Sequence, residues 1–278
     1  MENQSKPILI PTDFTVVAQY AIESAVKFAR ITNTNIVLVH IVKKAVDISE
    51  ATARVEVEAD KASKDFGINV TGIVREGSIF STIGETVDEI DAGLVVMGTH
   101  GVRGMQKLTG SWALKVIVTS RVPIIVVQEH PRKDTVERIA FPIDFKRENR
   151  EKIGWAYYVA RLFKSKVHIF RAEVAKDKKI EQGIRTNLIF TEKFLRSKNI
   201  PYDITVAKGD DSFAKESLRF ADELDADLIL ITTTKGISIA DFVLGTSEED
   251  IITNSAHIPV MCVNPRKSQM GGFSATGG

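Results

Sequence analysis

Short runs of β-branched and aliphatic residues alternate along the chain with longer segments in which apolar positions recur every three or four residues. The short runs predict strands over residues 7–12, 35–42, 69–75, 93–98 and 122–128, then over 138–143, 166–173, 202–207, 227–232 and 258–263. Between the first two strands Ala18, Ile22, Ala25 and Ala29 fall on one helical stripe, and Ile153, Ala156, Ala160 and Phe163 do the same in the second half. Strand runs that alternate with helical stripes are the pattern of a mostly parallel sheet covered by helices, the α/β class. Five strands per half, joined by right-handed crossovers, predict a small doubly wound, Rossmann-like domain in each.

The halves also repeat one another. Ile8-Leu9-Ile10-Pro11-Thr12-Asp13-Phe14 returns as Ile139-Ala140-Phe141-Pro142-Ile143-Asp144-Phe145, and Val122-Pro123-Ile124-Ile125-Val126-Val127 returns as Ile258-Pro259-Val260-Met261-Cys262-Val263. A repeat this long is a duplicated domain rather than a solenoid unit. The expected organisation is two tandem domains, 1–131 and 136–266, with the polar stretch 130–135 as linker. The Gly- and Ser-rich tail 267–278 has no apolar periodicity and is expected to be disordered.

Charge and cysteine usage narrow the function classes. Of 278 residues, 37 are Lys or Arg and 36 are Asp or Glu, a net charge of +1. Neither half carries the basic excess that sequence-independent binding to nucleic-acid backbones requires. The basic run Lys176-Asp177-Lys178-Lys179 reads as a solvated face. A lone cysteine, Cys262, excludes a disulfide framework and any multi-cysteine metal site, and it reads as an inert core residue of a reducing compartment. No metal-ligand spacing, export signal, lipidation pattern or apolar run long enough for a membrane span is present, so a cytoplasmic location is expected.

In an open α/β sheet ligands bind beyond the carboxyl ends of the strands. The first strand ends in Pro11-Thr12-Asp13-Phe14-Thr15, where Asp13 or Thr15 can cap the next helix and an acceptor side chain is left facing the crevice, with Asp13 as a plain N-cap the alternative reading. The second ends at His40 and Ile41, and His40 there reads as a packed or surface residue rather than a catalytic one. The fourth runs into Gly98-Thr99-His100-Gly101-Val102-Arg103-Gly104, and Gly110-Ser111 opens a helical segment. Glycines admit an anion close to the backbone, while helix N-terminal amides and the Ser111 hydroxyl supply donors. This is a phosphate cradle to which Arg103 and Lys107 could add charge; plain turn glycines are the alternative reading.

Taken together, Pro11-Thr12-Asp13, Gly98-Thr99-His100-Gly101, Gly110-Ser111 and Val122 to Val127 resemble the universal stress protein family, in tandem form. The resemblance implies an adenine-nucleotide-hydrolase-like fold and an adenine nucleotide ligand, ATP or AMP, with Mg²⁺ entering on the phosphates. It implies nucleotide contacts at Asp13, Ile41, Gly98, Gly101, Gly110 and Ser111, with Ile41 against adenine, and Pro11, Thr12, His100 and Arg103 beside them. It also implies pairing of the two domains through their last strands and a possible homodimer. The family's motif places nine residues between its second and third glycines, whereas eight, Val102 to Thr109, stand here. A one-residue change turns the start of a helix by about 100°.

The second half departs further, with Thr232 and Lys235 where Gly98 and Gly101 stand in the first; Gly236, Gly245, Thr246 and Asp144 remain. A degenerate second site follows. The expected function is an ATP-binding stress-response regulator with its working site in the N-terminal domain. A nucleotide-free interaction scaffold and slow nucleotide hydrolysis are the competing readings. No Walker loop or dinucleotide fingerprint supports an enzyme, and no carboxylate is placed to orient His100 as a base.

Overall fold

The computed structural model describes residues 6–99, 110–173, 177–233 and 251–264, and of residues 110–114 the backbone alone. His100, Gly101, Arg103, Lys107, Lys235, Gly236, Gly245, Thr246 and the tail 267–278 lie outside the described residues. The chain divides into two compact units, built on residues 1–131 and 132–265.

The first unit runs β1 (Ile8–Pro11), α1 (Val16–Thr32), β2 (Ile36–Val42), α2 (Ile48–Phe66), β3 (Val70–Glu76), α3 (Ile79–Glu89), β4 (Leu94–Gly98), α4 (Gly110–Thr119) and β5 (Ile124–Val127). Its strands pair in parallel in the order β3-β2-β1-β4-β5. The second runs β6 (Arg138–Ile143), a 3-10 segment (Arg147–Arg150), α5 (Ile153–Phe163), β7 (Lys166–Arg171), α6 (Lys178–Ser197), β8 (Tyr202–Val206), α7 (Phe213–Glu223), β9 (Leu228–Thr232) and β10 (Val260–Val263). Its order, β8-β7-β6-β9-β10, repeats that of the first unit. This is the doubly wound α/β architecture that the alternating pattern predicts. Each sheet is covered on both faces, and so its central strands are apolar throughout: Leu9, Ile10, Leu38, Val95 and Ile124 are fully buried in the first unit, Ile139, Phe141, Leu230 and Val260 in the second. Cys262 lies buried within β10.

Two glycines decide how closely the helices approach the first sheet. A Cβ on Gly98, at the end of β4, would stand 2.5 Å from the carbonyl oxygen of Val17 in the first turn of α1. A Cβ on Gly72, in β3, would stand 2.9 Å from the carbonyl oxygen of Val55 in α2. Strand registers match Gly98 to Thr232 and Gly72 to Ile204 in the second unit. There the two helices behave differently. In place of the first turn of α1 stands the 3-10 segment, Thr232 Oγ1 donates to the Glu148 carbonyl at 3.3 Å, and the α-helix begins only at Ile153. Instead of lying along the edge strand as α2 does, α6 packs on the 3-10 segment, α5 and β6.

Candidate functional site

In the first unit the chain leaves β1 toward β2 on one side and returns to β4 on the other, so a crevice opens where β1 and β4 separate. A cavity of about 110 Å³ occupies it. The ends of three strands supply its polar rim and part of its wall: Pro11, Thr12 and Asp13 from β1, His40 and Ile41 from β2, and Met97 and Gly98 from β4. Ile79, Ile83 and Val116 from α3 and α4 complete an apolar floor. Pro11, Thr12, Asp13, Ile41 and Gly98 are thus brought together from segments up to 87 residues apart. α4 begins at Gly110, with Ser111 in its first turn and no acidic residue there to compete for its amides.

Of the two residues offered as the cap of α1, Thr15 takes that place and Asp13 holds Thr15 from outside the helix. Asp13 Oδ1 accepts from the Thr15 amide at 3.2 Å and from the Thr15 hydroxyl at 2.6 Å, while Thr15 itself caps α1 by accepting from Ala18 N. The carboxylate remains exposed at the rim. Gly98 lines the cavity, and the space left by its missing side chain is filled by the backbone of α1. The hydroxyl of Thr99, next in the chain, is buried and has no hydrogen-bond partner among the described residues.

A polar cluster that sequence reasoning missed lies behind the rim. Thr12 is buried and donates to Glu58 Oε2 on α2 at 2.8 Å, and its oxygen also accepts from the Phe14 amide. Phe14 takes a left-handed backbone, φ 62°, with its ring centre 4.5 Å from that of His40 and 4.1 Å from the Arg54 guanidinium carbon. His40 Nδ1 lies 2.8 Å from the Thr12 carbonyl. A carbonyl only accepts, so Nδ1 carries the proton. Burial pushes the Glu58 carboxyl above its ordinary range; the Thr12 hydroxyl pulls the other way, and the charge on Asp13 adds to the rise. His40 was readable as a neighbour of Ile41. Glu58 and Arg54 sit mid-helix, and only the packing of α2 brings them here.

The equivalent place in the second unit is filled by its own side chains. Asp144 Oδ1 accepts from the Lys146 amide at 2.8 Å, the turn that Asp13 also makes, and additionally from Asn149 Nδ2. Asn187 of α6 donates to the carbonyls of Asp144 and Lys146 at 3.0 and 2.8 Å and accepts from Arg150. Lys152 is 2% exposed; its ammonium donates to the Pro142 carbonyl and lies 4.5 Å from the centre of the Phe141 ring. Burial lowers its pKa to about 7, against a smaller rise from Asp144. The departures read from the sequence, Thr232 and Lys235, are therefore accompanied by a plug from the 3-10 segment, α6 and Lys152.

The fold and the crevice define a doubly wound α/β protein with a cleft at the switch in strand order. The profile of the universal stress protein family matches residues 4–128. A universal stress protein of Methanocaldococcus jannaschii is 29% identical over 149 residues, spanning 48% of this chain and 87% of that protein. A universal stress protein of a Synechocystis strain is 30% identical over 134 residues, spanning 44% of this chain and 85% of that protein. The crystal structure of a universal stress protein from Archaeoglobus fulgidus superposes with a TM-score of 0.75 at 18% identity, over 94% of this chain and 97% of that one, a likeness of fold. The chain belongs to the universal stress protein family. Among the described residues no helix is long and apolar enough to cross a membrane.

Proposed function

We propose that the first unit binds an adenine nucleotide, ATP by preference, and that the chain works as a nucleotide-binding regulator of a stress response rather than as an enzyme of nucleotide turnover. The observation that carries this reading is the cleft itself, which joins an exposed carboxylate, an apolar wall and the first turn of α1 at one strand-order switch. Asp13 would take the sugar hydroxyls and Ile41 the base. The amides at the start of α4, Ser111, Gly101 and Arg103 would hold the phosphates, and Mg²⁺ would enter with phosphate and water ligands.

Titrating ATP with Mg²⁺ calorimetrically into protein first stripped of nucleotide tests the reading. Micromolar affinity with about one site per chain, weakened at least tenfold in Ile41→Lys and in Gly101→Val, is expected. No heat, together with no nucleotide in an acid extract of the purified protein, would overturn it.

A second reading applies to the other unit. Its plug of Asn187, Asn149 and Lys152 supports a role without nucleotide, as a scaffold for contacts. A second ATP site in the titration would count against it.

A further inference from the structure

The two units treat their edge strands differently. Along β3 the N–H and C=O groups of Val70, Gly72, Val74 and Glu76 point away from β2, because the bonds to β2 use the alternate residues, as Ile36 N to Asn69 O and Gly77 N to Val42 O show. That edge is blunted. The Ser63 hydroxyl both accepts from Val70 N and donates to Val70 O, the Arg75 guanidinium donates to Val74 O, and α2 lies over Gly72.

On β8, Val167 N bonds Pro201 O and Ala207 N bonds Arg171 O, so Tyr202, Ile204 and Val206 turn their backbone groups outward. Among the described residues none of these groups is capped. The helix is also displaced. Ile204 occupies the position of Gly72, and α6 reaches β8 through Tyr202, whose hydroxyl contacts Glu192 and Arg196. Ile204 and Val206 are 38% and 43% exposed. No proline or bulge interrupts the strand.

We propose that β8 is a self-association edge, on which β8 of a second copy pairs antiparallel about a two-fold axis through Ile204. The register argues for a second copy over an unrelated strand. With Ile204 facing its own counterpart, Tyr202 lies opposite Val206 and all three outward residues form hydrogen-bonded pairs, about six bonds in total. Apolar then meets apolar on one face. On the other face Asp203 meets Thr205, so no like charges oppose each other, and the carboxylate is already matched by Lys166 and His168, each at 2.9 Å. A surface that is complementary to itself gives a closed isologous dimer.

Sedimentation equilibrium of the full chain tests this, with Ile204→Pro and Ile204→Lys. Proline at 204 removes an outward donor and leaves the β7 ladder whole, and two lysines would face one another across the axis. Wild type is expected at twice the 30.7 kDa chain mass at micromolar concentration, with the affinity of the dimer weakened at least tenfold in both variants while their circular dichroism is unchanged. In the wild type the amides of Tyr202, Ile204 and Val206 are expected to gain protection from hydrogen exchange as concentration rises. A monomeric wild type, or a dimer indifferent to both substitutions with these amides unprotected, would overturn the proposal.

Discussion

The carbonyl oxygen of Val17 lies so close to Gly98 that a side chain on the glycine would come within 2.5 Å of it. This contact sets the first turn of α1 against the end of β4 and brings the N-terminus of the helix to the edge of the crevice. In the second unit the matched residues are Glu148 and Thr232, and there the contact becomes a hydrogen bond from a hydroxyl to a displaced carbonyl. The helix start moves from Val16 to Ile153, and the 3-10 segment left in between supplies Asn149 to Asp144. Thr232 in place of Gly98 accompanies the displaced helix start, and Ile204 in place of Gly72 accompanies the different placement of α6.

Gly98→Ala is therefore expected to destabilise the first unit by about 1 to 3 kcal/mol, because backbone rather than a flexible side chain must move. The same shift of α1 should weaken ATP binding several-fold. Urea unfolding followed by hydrogen exchange in β1 and β4, beside calorimetry, checks both effects. Full stability in the variant would show that α1 yields without cost.

The fold was legible because buried parallel strands and amphipathic crossover helices leave different periodicities. The predicted strand 93–98 ends where β4 ends, at Gly98, and Gly110 opens α4 as expected. Asp13, Ile41 and Gly98, singled out by the motif, line one cavity. What the residues did not reveal is what depends on helix placement. Glu58 and Arg54 reach Thr12 and Phe14 behind the rim only through the packing of α2, and Lys152 carries no motif. The close approach of α1 to Gly98 was hidden for the same reason, since a glycine that makes room for a helix looks like any other in a sequence.

Thr15→Ala should separate stability from binding. It removes the α1 cap and one partner of Asp13, at a cost of about 0.5 to 2 kcal/mol. Asp13→Ala leaves Thr15 free to cap, so its stability loss should be smaller and its loss of ATP affinity larger. Thermal unfolding and calorimetry on the pair give the two orders; identical orders would mean that Asp13 acts only through the cap.

Gly72→Ala tests the edge comparison from the other side. The added Cβ meets the Val55 carbonyl at 2.9 Å, so α2 must lift from β3 and loosen the Ser63 clasp on Val70. A loss of about 1 to 2 kcal/mol is expected, with faster amide exchange at Val70. Unchanged exchange at Val70 would show that Ser63 follows the strand rather than the helix.

Lys152 gives the second unit a pH dependence whose sign is fixed by its environment. Its folded pKa, about 7, lies below the ordinary lysine value of 10.5, so between these limits the unfolded chain binds more protons than the folded one. Stability from this group then rises with pH through that window and is flat below about pH 7. From pH 6 to pH 9 the wild type should gain about 2 or 3 kcal/mol that Lys152→Met does not gain, since a tenfold difference in proton affinity between folded and unfolded chain is worth about 1.4 kcal/mol. The methionine variant should be the more stable of the two at pH 6, because it places no charge against Phe141 and Pro142. Fluorescence of Trp155, read in a Trp112→Phe background, follows the second unit alone. Parallel pH profiles for lysine and methionine would mean that the ammonium is solvated and that the crevice of the second unit is open to water.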